Sequence, residues 1–437
     1  VVLDNATGEV LAWVGSSGPL SQAADVDGVL APRQPGSTLK PFLYAQAITE
    51  RRLTAASLVH DSPAQIPTAG GLYIPQNYDR QFKGWVSVRQ ALAASLNVPA
   101  VRTLVMVTPD AFFDQLRRLG LPLAESGGYY GYSLALGSSE VQLLHLTNAY
   151  RALANGGRLS PVAYVPAAPG ARPAFTQALD AGAAFIVGDI LSDPNARVPT
   201  FGGDSVLNTR FWTAVKTGTS KDMRDNWALG WSARYTVGVW VGNAAGGAMH
   251  DVSGTSGAAP IWAEVMQFLH RRDARGAPRP PAGLVRQQVA FGGGDRPEAA
   301  RQEWFVPGTQ QAVFAIGSEA AGAYEESAVG QKHEKPELLA RIVAPAPGSI
   351  VALDPDIPPA HQRLRFEATG GAGLRWRIDG KPAGQGAVLA WLPWPGRHRV
   401  QLLDARGRPL DQISIEVRGA GVKPGARRDN APAMGGG

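Results

Sequence analysis

Gln34-Pro-Gly-Ser-Thr-Leu-Lys-Pro-Phe42 brings two reactive side chains to the start of a predicted helix. Pro35 and Gly36 interrupt the chain, and apolar residues then recur at helical spacing. Ser37 and Lys40 are three residues apart, so a helix places them on one face, one turn apart. A hydroxyl beside an amine, above the unpaired N–H groups of a first helical turn, has the components of an activated nucleophile. Alone the motif is weak, because an N-capping serine followed by a solvated lysine is an ordinary arrangement.

A second polar motif, Ser95-Leu-Asn97, follows a predicted helix over residues 86–96. Pro99 disfavours the helical conformation at Val98, so we expect Asn97 at the end of that helix. Short polar side chains at a helix end can point into a cleft, although serine and asparagine are also common at helix ends that have no such role. The motif therefore carries weight only in combination with others.

The third motif, Lys216-Thr-Gly-Thr219, lies on a predicted strand over residues 213–220. Strict alternation sends Lys216 and Thr217 to opposite faces of a sheet. Both can reach one substrate only if this strand forms the edge of its sheet, and we predict that it does. The three motifs stand on a helix start, a helix end and a strand, and together they indicate one catalytic site more strongly than any of them alone.

Composition limits the class of protein. The chain has 437 residues, of which 44% are hydrophobic and 18% charged, so it is globular and long enough for two or three domains. The formal net charge is +6 and the isoelectric point about 9.6. Arginines cluster at residues 271–279 and 427–428, and we interpret them as solvated linker and tail charges rather than as a nucleic-acid or membrane surface.

The chain contains no cysteine, which excludes disulfides, thiolate chemistry and cysteine-ligated metals. Its seven histidines are scattered without ligand spacing, so we expect no metal and no cofactor. No apolar run approaches the length of a membrane span. Because the sequence opens on Val1 without an initiator methionine or signal peptide, we expect it to begin inside a longer protein.

The order of elements predicts an α+β first domain over residues 1–275. A hairpin over residues 1–15 opens the chain, helical segments follow, and three strands and a helix close it. The simplest closure is one antiparallel sheet built from both ends of the domain and flanked by helices. Residues 276–337 are rich in Pro, Gly and Ala with short strands, and we expect an extended segment that packs on or links the domains.

Residues 338–418 alternate apolar and polar side chains with turns between, which predicts a small all-β sandwich. Residues 419–437 have the composition of a disordered tail. Trp376, Trp391 and Trp394 could form a sugar-stacking patch, but we favour core and edge aromatics because two of them fall on alternating strand positions.

The three motifs, in this order, resemble the set shared by penicillin-binding proteins and serine β-lactamases. Residues 1–15, 34–42, 134–157 and 216–242 resemble the transpeptidase domain of class A penicillin-binding proteins. The trailing β-domain is similar to the C-terminal domain of the 1C type of that family. The family carries a glycosyltransferase domain and a membrane anchor upstream. We find no glycosyltransferase motif here, so we do not expect glycan polymerisation.

The resemblance implies a β-lactamase/transpeptidase-like fold and a D,D-transpeptidase mechanism. Ser37 would attack the penultimate D-Ala carbonyl of a stem peptide ending in D-Ala-D-Ala, and β-lactams would acylate the same oxygen. Lys40 or Lys216 would take the proton, and the sequence leaves this choice open. Ser95 would relay a proton to the leaving amine. No cofactor is implied.

The resemblance also implies the substrate contacts. Asn97 would donate to the backbone carbonyl of the substrate. Lys216, Thr217, Gly218 and Thr219 would hold its terminal carboxylate, and the N–H groups of Ser37 and Thr219 would form the oxyanion hole. One departure from the family pattern is Asn226, which stands between Asp225 and Trp227 where alanine is expected.

Partners implied by the resemblance are peptidoglycan stem peptides, β-lactams and other cell-wall synthesis proteins bound through the C-terminal β-domain, with no nucleic acid. The location implied is periplasmic, at the outer face of the inner membrane, with an anchor upstream of this chain. The acceptor amine, the oligomeric state and the ligand of the sandwich are open.

Two alternatives remain at this stage. A D,D-carboxypeptidase or β-lactamase would use the same residues but pass the acyl group to water. Fast lactam hydrolysis needs a positioned base, and a Glu followed shortly by Leu-Asn, as in class A β-lactamases, is not found between Asn97 and Lys216. A non-catalytic β-lactam or peptidoglycan-binding module is the second alternative, and the intact set of motifs argues against it.

Overall fold

The computed structural model describes residues 1–21, 23–68, 71–166, 168, 173–272, 276–292, 298–316, 340–345, 350–352, 363–369 and 373–418. The chain divides into two compact units. The first comprises residues 1–62 and 76–327, and the second comprises residues 63–75 and 328–437. The domain boundaries expected from the sequence stay predictions, and the expected tail over 419–437 lies outside the described residues.

The helices of the described chain are α1 (Lys40–Thr49), α2 (Val88–Ala93), α3 (Asn97–Val107), α4 (Pro109–Arg118), α5 (Gly127–Tyr130), α6 (Leu143–Ala154), α7 (Ala181–Ser192), α8 (Pro194–Phe201) and α9 (Ala259–Leu269). Short 3₁₀ segments lie at Gly18–Leu20, Gly36–Leu39, Gly131–Leu136 and Lys221–Met223, and a π-helical turn lies at Gly254–Ala258.

The strands of the first unit are β1 (Val2–Asp4), β2 (Val10–Ala12), β3 (Leu58–Asp61), β6 (Gly84–Ser87), β7 (Arg158–Leu159), β8 (Thr176–Gln177), β9 (Ala214–Thr219), β10 (Asp225–Trp231), β11 (Tyr235–Gly242), β12 (Val285–Gly292), β13 (Arg301–Phe305) and β14 (Val313–Ala315). Those of the second are β4 (Ile66–Thr68), β5 (Gly71–Tyr73), β15 (Arg341–Ala344), β16 (Ile350–Ala352), β17 (Leu364–Thr369), β18 (Arg375–Ile378), β19 (Lys381–Gln385), β20 (Val388–Trp391), β21 (Gly396–Leu403) and β22 (Pro409–Arg418).

One antiparallel sheet joins both ends of the first unit, as predicted. Its strand order is β2-β1-β11-β10-β9, with Val2 opposite Val237. Trp262 and Met266 of α9 are fully buried in the core against this sheet. The strand β9 lies at the edge, which confirms the prediction made for the strand that carries the third motif.

Helix α1 is buried on nearly all sides. Every residue from Lys40 to Ile48 is buried, and the helix packs against α3, α4 and α7. A helix enclosed in this way has a fixed position, and the side chains at its start are held with it. The Ser37 segment therefore stands on a rigid element.

The prediction for the second motif was wrong in its secondary structure. Residues 84–87 form strand β6, helix α2 ends at Ala93, and Asn97 begins helix α3 instead of ending a helix. Pro99 lies in the first turn of α3, where proline is tolerated because the N–H groups of that turn have no intrahelical partner. The proline thus belongs to a helix start.

A buried ion-pair network ties a small sheet, ordered β13-β12-β14, to the helices of the first unit. The Arg89 guanidinium of α2 contacts Glu303 at 2.6 Å and Asp189 at 2.5 Å, and Glu303 is fully buried. Arg301 also contacts Glu303, at 2.7 Å. Since buried charges must be paired, this network fixes β13 against α2 and α7.

The two larger sheets of the second unit are ordered β15-β17-β20 and β16-β22-β21-β18-β19. Trp376 and Trp391 are 1% and 8% exposed and lie in its core, which agrees with the interpretation as packing aromatics and not as a sugar-stacking patch. The hairpin β4–β5 belongs to this unit, and Ile74 packs against the same core. None of the helices in the described part of the chain is long and apolar enough to cross a membrane.

Candidate active site

Ser37 lies in the 3₁₀ turn Gly36–Leu39, which continues directly into α1. Gly36 has φ +56°, and a Cβ there would stand 2.6 Å from the carbonyl oxygen of Thr219. A Cβ on Gly137 would overlap the carbonyl oxygen of Gly36, and one on Gly218 would overlap that of Pro35. The backbone beside Ser37 therefore packs between the end of β9 and the 3₁₀ turn before α6. The backbone atoms approach so closely there that only glycine fits at these three positions.

Lys40 is fully buried and surrounded by acceptors. Its Nζ donates to the carbonyl oxygens of Ser95 and Leu96 at 2.7 and 3.1 Å and to Asn97 Oδ1 at 2.6 Å. Burial holds the pKa of Lys40 well below its ordinary value, the nearby Lys216 lowers it further, and Asp61 opposes both. These effects favour the neutral form of the amine, which lies one helical turn from Ser37.

Ser95 connects the two lysines. Its carbonyl oxygen accepts from Lys40 Nζ, and its Oγ accepts from Lys216 Nζ at 2.7 Å. Ser95 has φ +61°, a left-handed conformation that is strained for a residue with a Cβ. Such strain is typical of functional sites, because the surrounding structure must impose it.

Lys216 is 2% exposed, and burial lowers its pKa to about 7. Its Nζ also donates to the carbonyl oxygen of Thr217 at 2.8 Å. Thr217 is buried, while Thr219 is half-buried and its Oγ1 accepts the N–H of Gly254 at 3.0 Å.

Asn97 is bound on both sides of its amide. Its Oδ1 accepts from Lys40, and its Nδ2 donates to the carbonyl oxygen of Gln76 at 2.8 Å. The structure thus brings Lys40, Ser95, Asn97 and Lys216 into one hydrogen-bonded cluster, and packs the Ser37 turn against the end of β9. The roles assigned to these residues stay predictions.

Sequence reasoning missed Asp61 and Asn77. Asp61 is fully buried at the end of β3, and both of its carboxylate oxygens accept from Asn77 Nδ2 at 2.8 Å. Burial raises the pKa of Asp61. The stretch around Asn77 has turn composition, and nothing in it distinguishes this asparagine from its polar neighbours.

The turn between β9 and β10 is fixed by Asp225. Its carboxylate accepts from Ser220 Oγ at 2.8 Å and from Trp240 Nε1 at 3.0 Å. Asn226, the departure from the family pattern, is fully buried opposite Thr219 and donates to the carbonyl oxygen of Met223. These contacts hold the strand that carries the third motif.

The fold is that of a penicillin-binding protein transpeptidase domain. A family model described as "Penicillin binding protein transpeptidase domain" matches residues 1–267, and one described as "Penicillin-Binding Protein C-terminus Family" matches residues 331–415. Since the first match covers more than half of the chain, the chain belongs to the penicillin-binding protein transpeptidase family.

Among curated relatives, the chain is similar to penicillin-binding protein 1C of Escherichia coli K12, with 36% identity over 67% of this chain and 37% of the relative. It is also similar to penicillin-binding protein 1A of Neisseria lactamica, with 33% identity over 65% of this chain and 37% of the relative. The chain thus spans 37% of the length of these relatives.

Among solved structures, penicillin-binding protein 1A from Haemophilus influenzae superposes with a TM-score of 0.61 at 22% identity, over 72% of this chain and 54% of that one. The PonA1 protein from Mycobacterium tuberculosis in complex with penicillin V superposes at 0.53 and 22% identity, over 64% of this chain and 80% of that one. At this identity the likeness establishes the fold.

Proposed function

We propose that this chain is a peptidoglycan D,D-transpeptidase that works through an acyl-enzyme on Ser37. The observation that supports this most is the environment of Lys40. A lysine that is fully buried one helical turn from a serine, with the pKa of its amine well below the ordinary value, is suited to proton abstraction. A solvated lysine with a capping role would have neither property.

The acylation step uses both lysines. Ser37 Oγ attacks the carbonyl carbon of the penultimate D-Ala, and its proton passes to neutral Lys40. The bond to the terminal D-Ala nitrogen then breaks, and Ser95 Oγ, which accepts from Lys216, gives a proton to the leaving amine and regains one from the lysines. Lys40 is the better base because its amine is fully buried and is destabilised as a cation by Lys216.

Two groups of contacts hold the substrate in this proposal. The N–H groups of Ser37 and Thr219 bind the oxyanion, and the close approach of Gly36 to the Thr219 backbone supports this placement. Lys216, Thr217, Gly218 and Thr219 lie along the edge strand and bind the terminal carboxylate, which needs donors and a positive charge. Asn97 donates to a backbone carbonyl of the stem peptide.

An amine of a second stem peptide then attacks the acyl-enzyme, which forms the cross-link and returns Ser37 to its free state. β-Lactams present a strained amide in place of the D-Ala-D-Ala bond and acylate the same oxygen. We propose that this reaction takes place at the outer face of the inner membrane, in the periplasm, and that an anchor elsewhere in the longer protein holds the chain there. The C-terminal β-domain would bind other cell-wall synthesis proteins.

The test is the fate of the acyl group. The full chain is given a peptide ending in D-Ala-D-Ala with a D-amino acid as acceptor, and the aminolysis and hydrolysis products are separated. The proposal predicts that aminolysis rises with acceptor concentration and that Ser37→Ala forms neither product. Hydrolysis alone, independent of acceptor, would identify a carboxypeptidase instead. No turnover by folded wild type that also takes no penicillin label would favour a binding module.

A further inference from the structure

Helix α3 begins at Asn97 without a capping side chain of its own. Leu96 occupies the N-cap position and has no polar side chain. The first N–H groups of a helix need acceptors from elsewhere when they are buried. Asn77 Oδ1 supplies one, accepting from the N–H groups of Asn97 and Val98 at 2.8 and 3.3 Å. The third position is Pro99, which has no N–H, so one oxygen satisfies the first turn.

Asn77 is itself held by a buried carboxylate. Its Nδ2 donates to both oxygens of Asp61 and to the carbonyl oxygen of Gln81, all at 2.8 Å. Asp61 also accepts the N–H of Lys83 at 2.8 Å. A carboxylate only accepts, so the Asn77 amide must turn its NH₂ group to Asp61 and its oxygen to α3. Asn77 is 4% exposed and has one possible orientation.

The turn that Asn77 caps carries the groups around both lysines. Lys40 Nζ contacts three acceptors, and all of them come from residues 95–97. Lys216 Nζ contacts the Oγ of Ser95 in the same turn. The position of this turn therefore determines where the two amines and the Ser95 hydroxyl lie.

We propose that Asn77, oriented by Asp61, is a positioning residue of the acyl-transfer site. Asn77 makes its hydrogen bonds to Asp61, Gln81 and the start of α3. It acts by fixing the start of α3, so that the strained Ser95 and the Asn97 amide stay in register with Lys40 and Lys216. This inference rests on the function proposed above and extends it to a pair of residues that the motifs do not include.

The experiment measures acylation by fluorescent penicillin with the full chain, separating the binding constant from the acylation rate constant at saturation. Asn77→Ala is expected to lower the rate constant at least tenfold and leave the binding constant within about threefold. Asp180→Ala is the matched control, because Asp180 caps α7 through the N–H of Ala183 at 2.8 Å, on a helix that carries none of the site residues. The control is expected to lose stability and keep its acylation rate.

A swap of the pair gives a second readout. Asn77→Asp alone sets two carboxylates against each other and is expected to slow acylation at least tenfold. The double variant Asp61→Asn/Asn77→Asp restores an amide donor facing a carboxylate that still accepts from α3, although the Gln81 carbonyl oxygen loses its donor. We therefore expect partial recovery, to a rate at least threefold above that of Asn77→Asp. If Asn77 only stabilised the fold, the double variant would not be acylated faster than an Asn77→Asp variant of equal stability.

The outcomes separate the two proposals. Suppose that wild type reacts with penicillin and that Asn77→Ala is acylated at a rate within twofold of wild type, or no more slowly than Asp180→Ala. This result overturns the inference and leaves the proposed function standing. If Asn77→Ala is insoluble, the swap decides, and a double variant as slow as Asn77→Asp overturns the inference. A folded wild type that takes no label overturns the proposed function, and this inference with it.

Discussion

Replacing Lys216 by methionine should stabilise the protein while removing its activity. Lys216 is 2% exposed, and burial lowers its pKa from 10.5 to about 7. At about 1.36 kcal/mol per pKa unit, keeping this amine charged in the folded state costs about 5 kcal/mol below pH 7. Its hydrogen bonds to Ser95 and Thr217 return about 3 kcal/mol. Methionine has a similar shape and no charge, so Lys216→Met should gain about 2 kcal/mol at pH 6.

The stability difference between Lys216→Met and wild type should depend on pH. Below pH 7 the lysine is protonated in both the folded and the unfolded chain, so wild type bears the full penalty. Between pH 7 and 10.5 the unfolded chain binds more protons than the folded one, so wild-type stability rises with pH. The advantage of Lys216→Met should therefore be largest at pH 6 and vanish by about pH 9.

Thermal unfolding from pH 6 to 9.5 is the assay, with penicillin labelling in parallel. The expected gain at pH 6 is roughly 5 °C for a domain of this size. Lys381→Met is the control, an exposed lysine at the start of β19 that should change stability by less than about 0.5 kcal/mol at any pH. The reasoning would be refuted if Lys216→Met were less stable than wild type at pH 6. It would also be refuted if the difference in stability between the two proteins did not change with pH.

Three further outcomes follow from the contacts. Gly137→Ala should lose about 3 kcal/mol of stability and react with fluorescent penicillin at least tenfold more slowly, because the added Cβ overlaps backbone beside the nucleophile. Gly202→Ala is the control, since Gly202 also has a positive φ but has open space around it. This control should lose about 1 kcal/mol by denaturant unfolding and react with penicillin at the wild-type rate. Arg89→Met should lose about 3 kcal/mol because it removes one partner of a fully buried carboxylate, whereas Arg397→Met, in a pair whose arginine is 87% exposed, should change little in the same assay. The acylation rate should fall above pH 7 as Lys216 loses its proton. In Lys216→Arg this fall in the pH–rate profile should move to higher pH, because arginine keeps its proton. A wild-type rate that still rises at pH 9 would contradict the role given to the Lys216 cation.

Local sequence signals located much of this site. Ser37 and Lys40 are one helical turn apart, and a proline–glycine break before an apolar repeat is enough to place a helix start there. The position of β9 at the sheet edge followed from requiring Lys216 and Thr217 to serve one cleft. Both inferences rest on the spacing of a few consecutive residues.

What the sequence did not reveal depends on contacts distant along the chain. A proline at position 99 suits a helix start as well as the residues after a helix end, and only the position of Asn77 shows that a helix starts here. The Asp61–Asn77 pair joins the end of a strand to a loop 16 residues later, and no local pattern encodes it. The grouping of hairpin 63–75 with the C-terminal strands is likewise a property of tertiary packing.

The measurement that tests the central claim most directly is the site and lifetime of the penicillin adduct. The full chain is mixed with penicillin, followed by intact mass over time, and digested to locate the modified residue, with Ser37→Ala in parallel. We predict a single adduct on the peptide containing Ser37 that persists for minutes or longer and is absent from the variant. An adduct elsewhere, or one retained by folded Ser37→Ala, would contradict the assignment of Ser37 as the nucleophile.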